Sequence, residues 1–450
     1  MKENQIRYYT VLIIILFTLH SIVLIALAVK FYPGMIGDSS DYLNLAKGFE
    51  SGQGFGILCD SGFQPESYRM PAYPLFLTII KSLFGESLLA IIIIQSLLFL
   101  ASVYFVWQIT VKFFGERTGI IFLTLSLFYP FAAMYAVVIL SEIIAIFFIS
   151  LAFFLLSKER AYYLFFSGIA FGLAFYSRPN LLFLSIFITV LCFVLFKLKQ
   201  PKYFLIALAT ILTIIPFCFY NYQHFGKFTP TPVAVQKPGT SLFLATWQSK
   251  VSMPTLVEFG GKGNFTDEAR AAGLSEQVEN IQNQLRQRLG STEKDGTIKN
   301  YSFGPAGCAD FNEKVIVQET LYNAAIENIK SNPLEYLISS LYNAFRMWFT
   351  AFSSGGASKF IETALMFEGI LILALALMGI IIALFNHSSL KNKLYITLIA
   401  ALFYHSATLC WLHTEARYTI PVRLFLLIFA AYAINEIINL LQRKFGGMTN

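Results

Sequence analysis

Apolar runs long enough to cross a bilayer recur from one end of this chain to the other, and that recurrence restricts the fold more than any motif does. A helix of about 20 apolar residues, rising about 1.5 Å per residue, covers the roughly 30 Å of hydrocarbon in a membrane. Such runs fall at 9–31, 87–111, 118–139, 141–157, 161–178, 180–196, 203–222, 363–385, 394–412 and 418–440. Composition agrees: 56% of the 450 residues are hydrophobic and only 13% are charged, a balance foreign to soluble domains. Backbone polar groups must be satisfied internally in lipid, so the expected fold class is an all-α polytopic membrane protein with about ten transmembrane helices.

Basic residues are retained on the cytoplasmic side of a membrane and so set orientation. With the N-terminus inside, the inner segments carry Lys2 and Arg7, Lys112 and Arg117, Lys158 and Arg160, Lys197 with Lys199 and Lys202, Lys391 and Lys393, then Arg443 and Lys444. The net charge of +7 is thus explained as topology, which argues against nucleic acid as a partner. The first run, apolar from Val11 to Val29, exceeds the roughly 7–15 residues of a cleaved signal and reads as a retained anchor. The outer face then receives the first loop at 32–86, a large region at 223–362, and turns near 131–140, 178–180 and 413–417. Asp38, Asp41, Arg69, Glu142, Arg178 and Arg417, far apart in sequence, meet at that face.

Within the large outer region the pattern predicts one helix over about 267–289 and a second beginning at Asp310, where Asp310 and Glu313 fit a capping box, and ending at Asn332-Pro333. The stretch 334–352 is apolar but contains Glu335 and Arg346, which suits an amphipathic helix lying in the interface. Cys192, Cys218 and Cys410 sit in apolar spans as small core residues. Cys59 and Cys308 are both external, which permits a bridge without requiring one. No CxxC or HExxH spacing occurs, and His20, His405 and His413 read as hydrogen-bonded packing residues.

The charged residues carry two readings each. Asp38 either caps a short membrane-parallel helix marked by Leu43, Leu45, Ala46 and Phe49, or joins Asp41, which shares its face, in a site. Arg69 stands before Pro71 and Pro74, which suit a helix start, and a guanidinium there opposes the helix dipole. It therefore calls for an anionic partner, and phosphate matches its forked donors; snorkelling to headgroups is the alternative. Glu142 is either a first-turn acid behind Ser141 or a site residue, and Arg178 complements the end of a span or serves the site. Arg417 begins a span, where a cation is penalised unless it is paired.

The order Gly37-Asp38, Tyr42, Ala46, Gly52, Gly54, then Arg69-x-Pro71-x-Tyr73-Pro74, resembles the first external loop of GT-C fold glycosyltransferases of the protein-mannosyltransferase and aminoarabinose-transferase type. Ser141-Glu142, Gly168 to Gly172 followed by Ser177-Arg178-Pro179, Pro216 with Asn221 and Gly226, Asn332-Pro333, and Arg417-Tyr418-x-x-Pro421 extend the resemblance over most of the chain except about 240–305. It implies a GT-C-like fold with juxtamembrane helices and a mainly helical extracytoplasmic loop domain. It divides the chain into an N-terminal transmembrane module at 1–222 whose first external loop (32–86) is catalytic, a loop domain at 223–333, and an interfacial helix with C-terminal transmembrane helices at 334–450.

The implied activity is transfer of a hexose or pentose, with inversion, from a polyprenyl-phosphate carrier to a lipid, glycan or protein acceptor. The enzyme is placed by the resemblance in a bacterial inner membrane with its site facing outward. The resemblance makes Asp38 the catalytic base. It gives Asp41, Tyr42, Arg69, Tyr73, Glu142, Arg178, Arg417 and Tyr418 to substrate binding, with the arginines facing the leaving phosphate. No cofactor is expected, although the acidic site leaves a divalent metal open. The pattern departs from relatives at Ser39, where many carry a second acid, and at Asp41, where the aminoarabinose enzymes carry a base. A transporter or flippase for a lipid-linked or anionic substrate is the alternative, but such sites lie near the midplane of repeated halves rather than at one face. If the main reading holds, a cavity open outward and to lipid is expected around Asp38 and the arginines. Accessibility labelling of cysteines introduced at the two ends of the chain should report the same compartment; opposite compartments would break the ten-span topology.

Overall fold

The computed structural model describes residues 3–35, 37–129, 131–196, 200–249, 266, 269–270, 272–292, 297–304, 307–349, 359–386 and 393–446. Helix α1 (Glu3–Phe31) leads into the first loop, which holds α2 (Ser39–Glu50), a hairpin of β1 (Gly56–Cys59) and β2 (Gly62–Pro65), and α3 (Ala72–Phe84). The hairpin is antiparallel, with Gly56 opposite Pro65 and Cys59 opposite Gly62. There follow α4 (Leu88–Phe114), α5 (Glu116–Phe128), α6 (Phe131–Met134), α7 (Glu142–Lys158), α8 (Ala161–Phe175), α9 (Leu184–Leu195) and α10 (Phe204–Phe225).

Five stretches are long and apolar enough to cross a membrane: Tyr8–Phe31, Leu88–Phe114, Pro201–Phe225, Thr363–Phe385 and Ala416–Lys444. Ala72–Phe84, Ala161–Phe175, Pro179–Leu195 and Tyr395–Leu409 are apolar helical stretches of shorter length. The helix expected over 118–139 is cut short: α5 stops at Phe128, two residues before the proline at 130, whose ring disfavours helical geometry in the residue ahead of it. The chain from 135 to 141 is nevertheless buried. Its backbone is satisfied from within the protein, because Gln95 Nε2 donates to the carbonyls of Ala136 (3.2 Å) and Val138 (2.8 Å), and Ile139 N donates to Gly34 O (2.8 Å). Irregular backbone buried away from water is tolerable only where protein groups supply those bonds.

Small residues set how closely the helices approach. A Cβ on Gly168 would lie 2.3 Å from Ile206 O, and one on Gly172 2.7 Å from the Thr213 side chain, so the two glycines let α8 press directly on α10. Beside Pro216, the Tyr176 hydroxyl is inserted into the α10 ladder, accepting from Phe217 N (3.3 Å) and donating to Thr213 O (2.6 Å). His20 bonds Ser126 Oγ (3.0 Å) and Leu16 O (2.8 Å), and Cys192, Cys218 and Cys410 are buried and free, as packing residues should be.

The outer region builds a core of its own. Helices α11 (Gly239–Ala245), α12 (Ser275–Leu289) and α13 (Phe311–Ser331) close around Phe243, Trp247, Val278, Ile281, Leu285, Phe303 and Leu321. Helix α12 starts later than the pattern suggests, and residues 267–268 lie outside those described. Asp310 caps α13 as expected by accepting from Glu313 N (2.7 Å), but the Glu313 carboxylate pairs with Lys299 (3.1 Å) instead of closing the box. Cys59 and Cys308 are bridged, their Cα atoms 5.8 Å apart, which ties the hairpin of the first loop to the outer core.

Helix α14 (Pro333–Phe349) is amphipathic with its polar side turned inward. Leu334, Leu337, Ile338, Leu341 and Phe345 are exposed, whereas Ser339, Ser340, Asn343 and Arg346 are buried against the protein. That distribution suits a helix whose surroundings on one side are acyl chains. The chain ends through α15 (Lys359–Phe385), α16 (Tyr395–Leu409), a 3₁₀ turn at Ala416–Thr419 and α17 (Ile420–Gly446). The bridge closes a loop between positions 249 residues apart, so Cys308→Ser should lower the thermal midpoint by the equivalent of roughly 2–4 kcal/mol, read by scanning fluorimetry with and without reductant. An unchanged midpoint would mean that the outer core holds the first loop without it.

Candidate active site

Asp38 occupies the N-cap position of α2 and yet makes no side-chain cap bond. Its carboxylate faces two arginines instead. Oδ1 lies 3.1 Å from a terminal nitrogen of Arg69, and Oδ2 lies 3.2 Å from one of Arg417. The capping reading of Asp38 therefore falls, and the site reading gains its geometry. Asp41, one turn along α2, accepts from the same Arg69 nitrogen at 2.6 Å.

Arg69 is set by a carboxylate absent from the sequence-based candidates. Glu66 is buried, and its Oε1 accepts from the backbone N–H of Tyr68 (2.5 Å) and Arg69 (3.0 Å), which fixes the turn ahead of α3. The Tyr42 ring lies beneath the Arg69 guanidinium, 5.2 Å from centroid to Cζ, and its hydroxyl donates to Ser141 Oγ (3.1 Å). Tyr73 packs edge-on to Tyr42 but is wholly buried, its hydroxyl donating to Gln95 Oε1 (2.6 Å). It underlies the cluster and supports Tyr42.

Three further elements complete the constellation. Glu142 opens α7 and is ion-paired with Arg178 at the end of α8, so neither residue is a mere helix-end charge. The 3₁₀ turn supplies Arg417, which pairs with Glu415 as well as Asp38. The Tyr418 ring has the guanidinium of Arg178 at 5.4 Å and that of Arg417 at 5.6 Å. His413 lies 3.4 Å from Glu415, and burial, reinforced by Arg346 and Arg417 against the opposing pull of Glu415, pushes its imidazole down to about 4. Glu415 and Glu66 were legible only as polar residues in turns; no spacing marked them.

The turn that carries Arg417 is anchored from the last helix. Arg423, on α17 and almost fully buried, donates through Nε to Thr419 Oγ1 (2.6 Å) and through a terminal nitrogen to Met347 O (2.8 Å) and Ala416 O (3.4 Å). It also bonds the Tyr129 hydroxyl and lies 4.1 Å from the Phe131 ring centroid. The sequence reading passed over Arg423 because a cation in an apolar run resembles a lone exception.

Burial alone would raise the Asp38 carboxyl, but the adjacent Arg69 and Arg417 outweigh it and hold Asp38 well below the usual carboxylate range. Arg69 is driven the other way: burial disfavours its charge, and Tyr42, Asp38 and Asp41 more than restore it. Among the described residues no group of three His, Cys, Asp or Glu side chains is arranged to hold a metal ion. The carboxylates and guanidinium groups of the cluster are paired with one another, and a cavity of about 210 Å³ lies apart from them, among residues 246–336.

A polytopic helical membrane protein with an acid and three arginines gathered from distant loops defines the class. Residues 65–220, about a third of the chain, match the family described as dolichyl-phosphate-mannose-protein mannosyltransferase. That segment includes Arg69, Tyr73, Glu142 and Arg178, and the protein-mannosyltransferase resemblance of the motifs is shown there.

No curated protein matches the chain in sequence. Among solved structures, the Archaeoglobus fulgidus oligosaccharyltransferase, tethered to an acceptor peptide, is 15% identical with a TM-score of 0.48, over 94% of this chain and 50% of that one. The protein described here thus spans about half the length of that enzyme. ArnT from Cupriavidus metallidurans, bound to undecaprenyl phosphate, is 11% identical with a TM-score of 0.38, over 93% of this chain and 77% of that one. Its apo form scores the same over 93% and 76%.

Because the folded-state pKa of Asp38 is depressed, its ion pairs stabilise the fold above the ordinary carboxylate range and are lost as acid protonates it. Asp38→Asn should cost roughly 1–2 kcal/mol at neutral pH, less than a fully buried pair would, since the side chain is 31% exposed. The thermal midpoint of the variant should also fall less than wild type on acidification below about pH 4. Identical acid limbs in the two proteins would show that Asp38 does not carry this linkage.

Proposed function

We propose that this chain is an inverting glycosyltransferase that moves a sugar from a polyprenyl-phosphate carrier to a lipid, glycan or protein acceptor at the outer face of a membrane. The observation that carries the reading is the placement of the Asp38 carboxylate between Arg69 and Arg417, away from the helix it could have capped. The family match over 65–220 supports the reaction class.

In the unliganded chain each of Arg69, Arg178 and Arg417 already meets a carboxylate. An anionic donor therefore enters by exchange. As its phosphate takes guanidinium donors from Arg69 and Arg417, Asp38 loses the charges that depress it and returns toward ordinary carboxylate basicity. Asp38 then accepts the proton of the acceptor hydroxyl while that oxygen attacks the anomeric carbon. The bond from that carbon to the phosphate oxygen breaks on the opposite face, with its electron pair leaving on the phosphate. Arginines held in a half-buried site neutralise that growing charge, and attack opposite the leaving group inverts the centre. Tyr42 and Tyr418 keep the guanidinium planes in place by stacking. Arg423 acts as a positioning residue for the turn of Arg417.

The test is transfer of radiolabelled sugar from a polyprenyl-phosphate donor in reconstituted membranes. Asp38→Asn should reduce kcat by about 10²–10⁴ while leaving expression and donor binding in place. Arg417→Ala should reduce kcat and also raise the donor KM, because its partner is the phosphate in both ground and transition states. Full transfer by Asp38→Asn would remove it as the base.

A further inference from the structure

The cavity of about 210 Å³ lies where α11, α13 and α14 meet in the outer region, away from the ion pairs around Asp38. Its walls include Trp247, Asn328, Ser331, Asn332, Glu335 and Tyr336, and no Lys or Arg lines it among the described residues. Such walls disfavour a phosphate, which calls for cations, and an acyl chain, which has no use for amides and a carboxylate. Aromatic side chains beside amides, hydroxyls and one hydrogen-bond-accepting carboxylate suit a ligand with apolar ring faces and many hydroxyls, and that is the chemistry of a sugar ring.

Two details show a site already oriented. Trp247 is 2% exposed, yet its indole N–H has no hydrogen-bond partner among the described residues, leaving a buried donor in need of an acceptor. Asn328 is locked by reciprocal bonds with Gln277 (2.7 and 3.3 Å) and by donation to Thr246 Oγ1 (3.1 Å), which fixes its amide in the wall.

The cavity is also stitched to the segment that carries Arg417. Tyr336 donates to Trp411 O (2.5 Å), and Gln248, next to Trp247, exchanges two bonds with the Thr414 backbone (2.7 and 3.1 Å). A ligand seated there would touch Tyr336 and Trp247, one bonded to and the other next in sequence to a residue bonded to the loop that leads through Glu415 into the acid–arginine cluster.

We infer that this cavity is a carbohydrate subsite that holds a neutral sugar residue of the acceptor, set apart from the phosphate-binding arginines. The inference rests on the glycosyltransferase reading, since it takes the occupant to be acceptor glycan. It commits the acceptor to a saccharide-bearing molecule and makes the outer region its recognition module.

Full-length protein in nanodiscs is titrated with free maltose, lactose, mannobiose and diacetylchitobiose, with binding read by saturation-transfer-difference NMR. At least one should bind saturably; Trp247→Phe should weaken it about fivefold or more, the effect of losing one buried hydrogen bond, and Asn328→Ala should weaken it similarly by releasing the Gln277 and Thr246 side chains that shape the wall. Retained binding of undecaprenyl phosphate by both variants shows that they are folded. Inorganic phosphate should not compete. Absence of saturable binding across the four sugars, survival of binding in both variants, or displacement by phosphate would each overturn the subsite. The two proposals separate cleanly in Asp38→Asn: sugar binding with full transfer retained sinks the catalytic reading alone, whereas transfer lost with no sugar binding even in wild type sinks the subsite alone.

Discussion

One carboxylate, Asp38, is gripped by guanidinium groups that arrive from opposite ends of the chain, Arg69 from the same loop and Arg417 from 379 positions away. The organisation of the charged cluster follows from that shared acid. Two arginines brought this close would repel each other if the acid between them were absent, and burial would raise the pKa of the acid if they were absent. Each charge is thus a condition for the others, and the elements that carry them are held in one arrangement. Glu66 orders the turn before α3, Glu142 anchors Arg178, and the Tyr418 ring has both the Arg178 and the Arg417 guanidinium groups against it.

In the proposed reaction, the same arrangement separates holding a substrate from acting on it. A carboxylate neutralised by arginines is a weak base, and arginines neutralised by carboxylates are weak phosphate ligands. A phosphate-bearing donor that takes over the arginines resolves both conditions in one event, so base strength is available only once the leaving group is in place. A site built this way gives water little opportunity to be activated in the absence of a donor.

Much of the architecture was legible from the chain because lipid imposes few solutions. Apolar length announced the helices, five of them in stretches long enough to cross a membrane, and the prolines and glycines of the motifs acquired plain structural reasons, as with Gly168 and Gly172 against α10 or Tyr176 beside Pro216. Asp38, Asp41, Arg69 and Arg417 could be nominated because a charge at a helix start in such a chain needs a partner. What the sequence hid were the partners that obey no periodicity. Glu66 and Glu415 sit in turns, Tyr73 faces inward toward Gln95, and the segment after α5 stays buried without being helical, paid for by one glutamine side chain. Such contacts depend on which loops meet in space, and a local pattern carries no record of that.

Arg423 fastens the last helix to the backbone of both Met347 and Ala416, so that α17, the end of α14 and the turn bearing Arg417 form a single mechanical piece. Helix α14 rests its leucines outward while its polar side is clasped to the protein. The position of Arg417 is thereby tied to the last helix as well as to its own turn, so one buried side chain links the end of the chain to the carboxylate at its beginning.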